Sequence, residues 1–226
     1  MGDASPSTYV YDVFRLPTPV STSNLQKYRA VRLAALQTDP TFFLSTYQQE
    51  VAFTDDVWRE RLNGEGKFTI VARADIRDHG RKEPGAEHGE GASQEEESES
   101  AEDAPFVGTV TLVAARSLPA SMVPDFADSK TAYFIVAMWV APEHRRRGLG
   151  RRLMEAALAC AAEDTKAPTG ALEGDNVGTK AEVILEVTLE NERAKRMYEG
   201  LGFETFLVKP AEGGGEAWMR RHVTVD

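Results

Sequence analysis

The amino-acid sequence predicts an α/β fold of the mixed-sheet, α+β kind, with a central sheet of six to seven strands flanked by about four helices. Three observations carry that expectation. Runs of β-forming and helical character follow one another in the order β α α β β β α β α β β along essentially the whole chain. Tyr133 to Val140 is a continuous apolar run, the pattern of a strand buried on both faces of a sheet, and a long apolar helix follows it. Near the end, two β-forming runs flank the glycine-rich stretch Ala211 to Gly215 and read as a hairpin.

Length and charge narrow the class. A chain of 226 residues can bury one good core and is short for two domains, so residues 1–226 read as a single domain. The net charge of −10 is concentrated in one place, because residues 75–104 hold eleven acids against three bases. The remainder is close to neutral and offers no basic face for a nucleic acid. The lone cysteine, Cys160, lies in an apolar helical run and reads as a small buried side chain, not a catalytic thiol. His79, His88, His144 and His222 have no metal-ligand spacing, so no metal is expected, and His144 reads as a solvated loop side chain. No basic-then-apolar signal segment stands at either end. The longest apolar run, Ala132 to Ala141, is far short of the roughly 18 residues of a membrane span. The expectation is a cytoplasmic protein, nuclear entry left open, that works as a monomer or homodimer without a membrane partner.

The elements follow in order. Tyr9 to Leu16 is rich in β-formers and stops at Pro17, giving a first strand. Ser21 to Asn24 offers N-caps, and Leu25, Tyr28, Arg29, Arg32, Leu33 and Leu36 recur at helical steps up to Asp39-Pro40. A second helical region covers Tyr47 to Leu62, with Val51, Trp58 and Leu62 facing inward. Phe68 to Ala72 and Phe106 to Ala114 are strands. Between them, residues 75–104 are dominated by Gly, Ser, Glu and Pro; they cannot bury enough apolar surface to offset their ordering entropy and read as an acidic disordered insertion. After the central strand comes a deeply packed helix from Leu149 to Ala162, then a second polar loop insertion at 164–180. Glu182 to Leu189 is the next strand, Asn191 to Leu201 a helix stopped by Gly202, and Phe203 to Lys209 with Glu216 to His222 the closing hairpin.

Between the central strand and its helix lies Arg145-Arg146-Arg147-Gly148-Leu149-Gly150. A helix start presents unpaired N–H groups and partial positive charge, glycines let ligand oxygens approach, and arginines supply forked cationic donors suited to phosphate. Taken alone, a G-x-G beside basic residues is equally a plain strand-to-helix turn, and neither a dinucleotide nor a P-loop fingerprint is present. As an R-x-x-G-x-G run, preceded by Val140-Ala141-Pro142-Glu143-His144 and followed by Leu153-Met154, it resembles the acetyl-coenzyme A motif of the GNAT superfamily of N-acetyltransferases. Asn191 to Tyr198, running on to Leu201-Gly202-Phe203, is similar to that family's second motif. On its own terms Asn191 is an N-cap and Tyr198 a half-buried aromatic. Arg29 to Leu36, then Phe42 and Phe43, then Trp58 to Leu62 resemble its N-terminal helix pair, one wall of the acceptor cleft; by themselves Phe42 and Phe43 read as core side chains.

The resemblance implies the GNAT acyltransferase fold, with a splayed strand pair holding coenzyme A, and acetyl-CoA as donor. It implies a coenzyme site made by Met138, Trp139, Val140, Arg145, Arg146, Arg147, Gly148, Leu149, Gly150, Arg151, Asn191, Ala194 and Tyr198, and makes Phe42 and Phe43 candidate substrate contacts. The implied reaction is transfer of an acetyl group to the primary amine of a small molecule or peptide by direct attack, with Tyr198 as general acid for the departing thiolate. Tyr133 to Val140 carries no acid, so the base stands open between Glu186 on the next strand, Asp128 in the preceding loop, and a water relay. The alternative is a catalytically silent acyl-CoA-binding or sensing protein of the same fold.

Overall fold

The computed structural model describes residues 8–77, 104–166, 180–212 and 214–224. Seven strands form one sheet: β1 (Thr8–Arg15), β2 (Lys67–Arg77), β3 (Phe106–Ala114), β4 (Ala132–Val140), β5 (Lys180–Thr188), β6 (Glu204–Ala211) and β7 (Gly214–Thr224), in the order β1-β2-β3-β4-β5-β7-β6. The helices are α1 (Thr22–Thr38), α2 (Tyr47–Val51), α3 (Asp55–Asn63), α4 (Leu149–Lys166) and α5 (Glu192–Glu199). All neighbouring strands run antiparallel except β4 and β5. Parallel neighbours need a long crossover, and α4 supplies it. Among the described residues, no helix is long and apolar enough to cross a membrane.

Side chains alternate across the sheet and place helices on both faces. Tyr133 turns to α4, where its hydroxyl meets Asp164 at 2.7 Å and Thr165 at 3.1 Å. Thr111 points the other way, to Tyr28 of α1. On α4, Leu149, Leu153, Met154, Ala157 and Ala161 form the buried stripe. Gly108 on β3 lies directly beneath it; a Cβ there would stand 3.1 Å from Leu153 Cδ1 and 3.2 Å from the Trp139 carbonyl.

Four boundaries differ from the sequence expectation. The helical region at 47–62 is two helices, because Thr46 caps one through a reciprocal box with Gln49 and Thr54 caps the next, accepting from Val57 N–H at 3.4 Å. Val51 is half-buried there, while Trp58 and Leu62 are core. Strand β2 runs on to Arg77, since Thr8, Tyr9 and Val10 pair with Arg77, Ile76 and Asp75. The acidic insertion therefore begins no earlier than residue 78, and 78–103 lie outside the described residues. Asp164 to Lys166 belong to α4, and Lys180 already pairs with Thr224, which leaves 167–179 of the second insertion outside the described residues.

The fourth difference shapes the site. Burial on both faces of β4 holds for Ala132 to Ile135, but Val136 is 44% exposed. Thr109 faces Trp139 while Thr111 faces Val136, so β4 carries one extra residue, a bulge in which Ala137 has φ +55°. Pairing of β4 with β5 stops at Ile135 opposite Leu185, although β5 stays paired with β7 out to Thr188. Beyond that point the two strands splay, and their facing edges have no strand partner.

Candidate active site

Where the sheet splays, the end of β4, the start of α4 and the start of α5 converge. The turn Pro40–Phe42 after α1 closes the fourth side, and the enclosed cleft measures about 350 Å³. The turn entering α4 is left-handed at Arg146, φ +62°, and at Gly148, φ +75°. Nothing lies within 4 Å of a Cβ built on Gly148, so glycine serves its backbone angle and leaves that face open. Arg152 N–H makes the first helical bond, to the Gly148 carbonyl at 3.1 Å. The amides of Leu149, Gly150 and Arg151 precede the ladder, in residues that line the cleft. No acid sits in the first turn to offset their positive end.

The three arginines expected to face a phosphate part ways. Arg145 gives Nε to the Val140 carbonyl at 2.8 Å and Nη2 to Asp39, so this guanidinium braces the cleft wall. Arg147 does not line the cleft: it lies 5.5 Å over the Tyr9 ring, because the left-handed step at Arg146 turns the next side chain toward β1. Arg146 is exposed and lines the cleft. Arg151 lines it too, while sharing its Nε with Glu155 at 2.8 Å.

On α5, Asn191 caps the helix by accepting from Ala194 N–H at 3.2 Å, and both residues line the cleft. Met197 reaches across from the same face. A Cβ on Gly150 would stand 3.1 Å from Met197 Sδ and 3.3 Å from Met138 Cε, so this glycine permits two methionines to close over the helix start.

Tyr198 turns inward. It is 6% exposed, its ring stands 6.0 Å from that of Phe203, and it is not among the side chains lining the cleft. Burial pushes its phenol up to about 12. Glu186 is exposed on the sheet face opposite α4 and does not line the cleft either; partial burial and the neighbouring Glu216 carboxyl raise its pKa, against Lys209. Asp128 accepts from the Lys130 amide at 2.8 Å in its loop.

Phe42 and Phe43 both line the cleft. As a core side chain Phe42 is a correction: it is 48% exposed, since its short turn stands off the sheet. Phe43 lies 4.8 Å from the Arg32 guanidinium, which is fixed by bonds of 3.0 and 2.8 Å to the buried Glu50. His144 is a second correction. It is 5% exposed, wedged against the rings of Tyr9 and Tyr11 and 3.0 Å from the Tyr11 hydroxyl, and burial lowers its pKa. Burial likewise pushes the Cys160 thiol up.

Sequence reasoning missed three cleft residues. Asp39 accepts Trp139 Nε1–H at 2.7 Å as well as the Arg145 bond, yet an Asp before Pro reads only as a helix end. Arg193 and Met197 line the cleft beside Ala194. Helical spacing, with Met197 three residues after Ala194, was the signal that could have found the second.

Residues 106–205 match the family model described as acetyltransferase (GNAT) domain. No curated protein matches the sequence. Among similar solved structures, NAA60 from Arabidopsis thaliana in complex with acetyl-CoA is 14% identical, with 95% of this chain and 99% of that one aligned at a TM-score of 0.53. A GNAT-family acetyltransferase from Streptococcus pneumoniae gives the same identity, coverage and score. A chimera of the spermidine N-acetyltransferase SpeG from Vibrio cholerae is 14% identical, with 95% of each chain aligned at 0.50. At such identities the likeness is one of fold. Residues 106–205, from β3 into β6, thus carry the match to the GNAT acetyltransferase domain, and the likeness of fold extends over nearly all of the rest of the chain.

Proposed function

We propose that the chain moves the acetyl group of acetyl-CoA to the primary amine of a small molecule or peptide by direct attack. The observation that carries this reading is the splay of β4 from β5 beside a helix start whose first-turn amides line the same cleft. The amides of residues 148–151 and the Arg146 guanidinium suit a diphosphate. The edge at Met138 to Val140, which has no strand partner on the β5 side, suits an extended pantetheine arm, which adds to a strand as a peptide does. Asn191 and Ala194 border the same space, one polar and one small.

In the reaction, the neutral amine attacks the thioester carbonyl carbon, the C–S bond breaks, and the sulfur leaves with the electron pair. The nitrogen sheds a proton to water, the thiolate takes one from Tyr198, and the phenoxide regains one from water. A phenol near 12 is fully protonated at neutral pH, so the donor form is always present. In this reading a backbone N–H on the β4 edge polarises the thioester carbonyl. Glu186 lies outside the cleft, so in this reading the amine's proton leaves through water.

One observation favours the binding-only alternative, namely that Tyr198 is buried and does not line the cleft. A thiol-release screen with acetyl-CoA against polyamines, aminoglycosides, amino acids, aminosugars and short peptides separates the two. Release dependent on one amine class supports transfer; coenzyme binding with no release across the panel supports the alternative.

A further inference from the structure

We propose that Asp39 is the acceptor-binding carboxylate, taking the ammonium of a cationic primary amine on its free oxygen while the amine's apolar stem lies against Phe42 and Phe43. This rests on the acetyl-transfer reading and adds to it the charge class of the acceptor.

Asp39 is the only carboxylate among the described residues that line the cleft; the other ionisable side chains there are arginines. The cations Arg146, Arg151 and Arg193 belong to the starts of α4 and α5, where a polyanionic donor sits. Asp39 stands at the end of α1, next to the turn that carries both phenylalanines, and is tied to the basic turn through Arg145 alone among its arginines. The cleft thus has one anionic position, and it adjoins the exposed aromatic surface.

The geometry of that carboxylate is specific. Trp139 Nε1 and Arg145 Nη2 both donate to Oδ2. No described residue donates to Oδ1, and the side chain keeps 18% of its surface open. A carboxylate has about four acceptor positions, so two donors on one oxygen fix its plane and leave the other oxygen for a ligand. Aromatic faces attract an ammonium and pack its stem.

Arg145 matters here for a second reason. A lone carboxylate would hold an ammonium in its protonated form, which cannot attack a thioester. The guanidinium on Oδ2 offsets part of that charge, so the amine can be recognised as a cation and still release its proton to water.

The test measures binding and needs no turnover. The full-length protein, saturated with coenzyme A at pH 7, is titrated with 2-phenylethylamine and with hexylamine, each against the alcohol of the same skeleton. The expected result is amine binding about tenfold or more tighter than alcohol binding, the worth of one charge-assisted contact. Asp39→Asn, which keeps an oxygen for the Trp139 donor, should bring amine down to alcohol while coenzyme A affinity stays within about threefold. Equal binding of amine and alcohol to the unaltered protein overturns the proposal without any variant. So does an Asp39→Asn protein that loses coenzyme A, amine and alcohol affinity by one common factor, since Asp39 would then act only through Arg145 and Trp139. A protein that selects amines through Asp39 yet releases no thiol in the broad screen sinks the transfer reading, and with it the word acceptor, and leaves Asp39 as an amine-binding carboxylate.

Discussion

Arg145 donates to the carboxylate of Asp39, 106 positions earlier in the chain, and to the carbonyl of Val140 at 2.8 Å. The first arginine of the basic turn is therefore a brace between the end of β4 and the end of α1. Arg145→Ala should lower stability by about 1–2 kcal/mol, the cost of leaving charged and backbone partners unpaired. Arg146→Ala, at an exposed position on the cleft, should leave stability unchanged and weaken coenzyme A about fivefold, one charge-assisted contact. Thermal unfolding and calorimetric titration of both variants check the division of labour.

Gly150 lies beneath Met138 and Met197, whose flexible ends would have to move for any side chain there. Helix propensity alone favours replacing a helical glycine, by up to about 1 kcal/mol. Gly150→Val should therefore fold with little change in melting temperature, yet displace the two methionines into the cleft and weaken coenzyme A by about tenfold or more. A large fall in melting temperature with unchanged coenzyme affinity would contradict this.

Tyr198→Phe removes only the hydroxyl of a ring already packed on Phe203. If the phenol protonates the leaving thiolate, kcat falls by about a hundredfold while the coenzyme A Kd stays the same. Because burial holds the phenol at about 12, no basic limb of the rate profile below about pH 11 belongs to it. A basic limb near pH 8 to 9 that disappears in Tyr198→Phe would contradict the raised pKa, whereas an unchanged kcat with normal coenzyme A binding would refute the general-acid role.

His144 gives the fold a pH dependence of known sign. Its folded pKa is lowered by burial, so as pH falls the unfolded chain takes the proton first. Stability falls once pH drops below about 6.5, the ordinary histidine value, and the slope ends when the folded form protonates as well. Urea titrations from pH 8 to 5 should show this loss for the native chain and a shallower one for His144→Gln.

Much of the frame was legible because its signals are local. The apolar run of β4, the stripe of α4 and the glycines between them are each readable within a few residues, and the order of elements follows. The cleft was only half legible. Asn191 was legible as an N-cap and, like Ala194, as a cleft residue through the resemblance to the second GNAT motif, but Arg145, Arg147 and His144 take their roles from Asp39, Tyr9 and Tyr11, all more than a hundred positions away. No periodicity reports such partners. Tyr198 shows the same limit, since a 3.6-residue period says which residues share a face and not whether that face meets core or cleft.

Acetyl transfer at this site requires coenzyme A in the splayed cleft. A crystal structure of the protein grown with coenzyme A tests that most directly. The predicted result is a diphosphate over the amides of Gly148 to Arg151 and a pantetheine arm along Met138 to Val140. A coenzyme seated elsewhere, with β4 and β5 still open and empty between those edges, would contradict it.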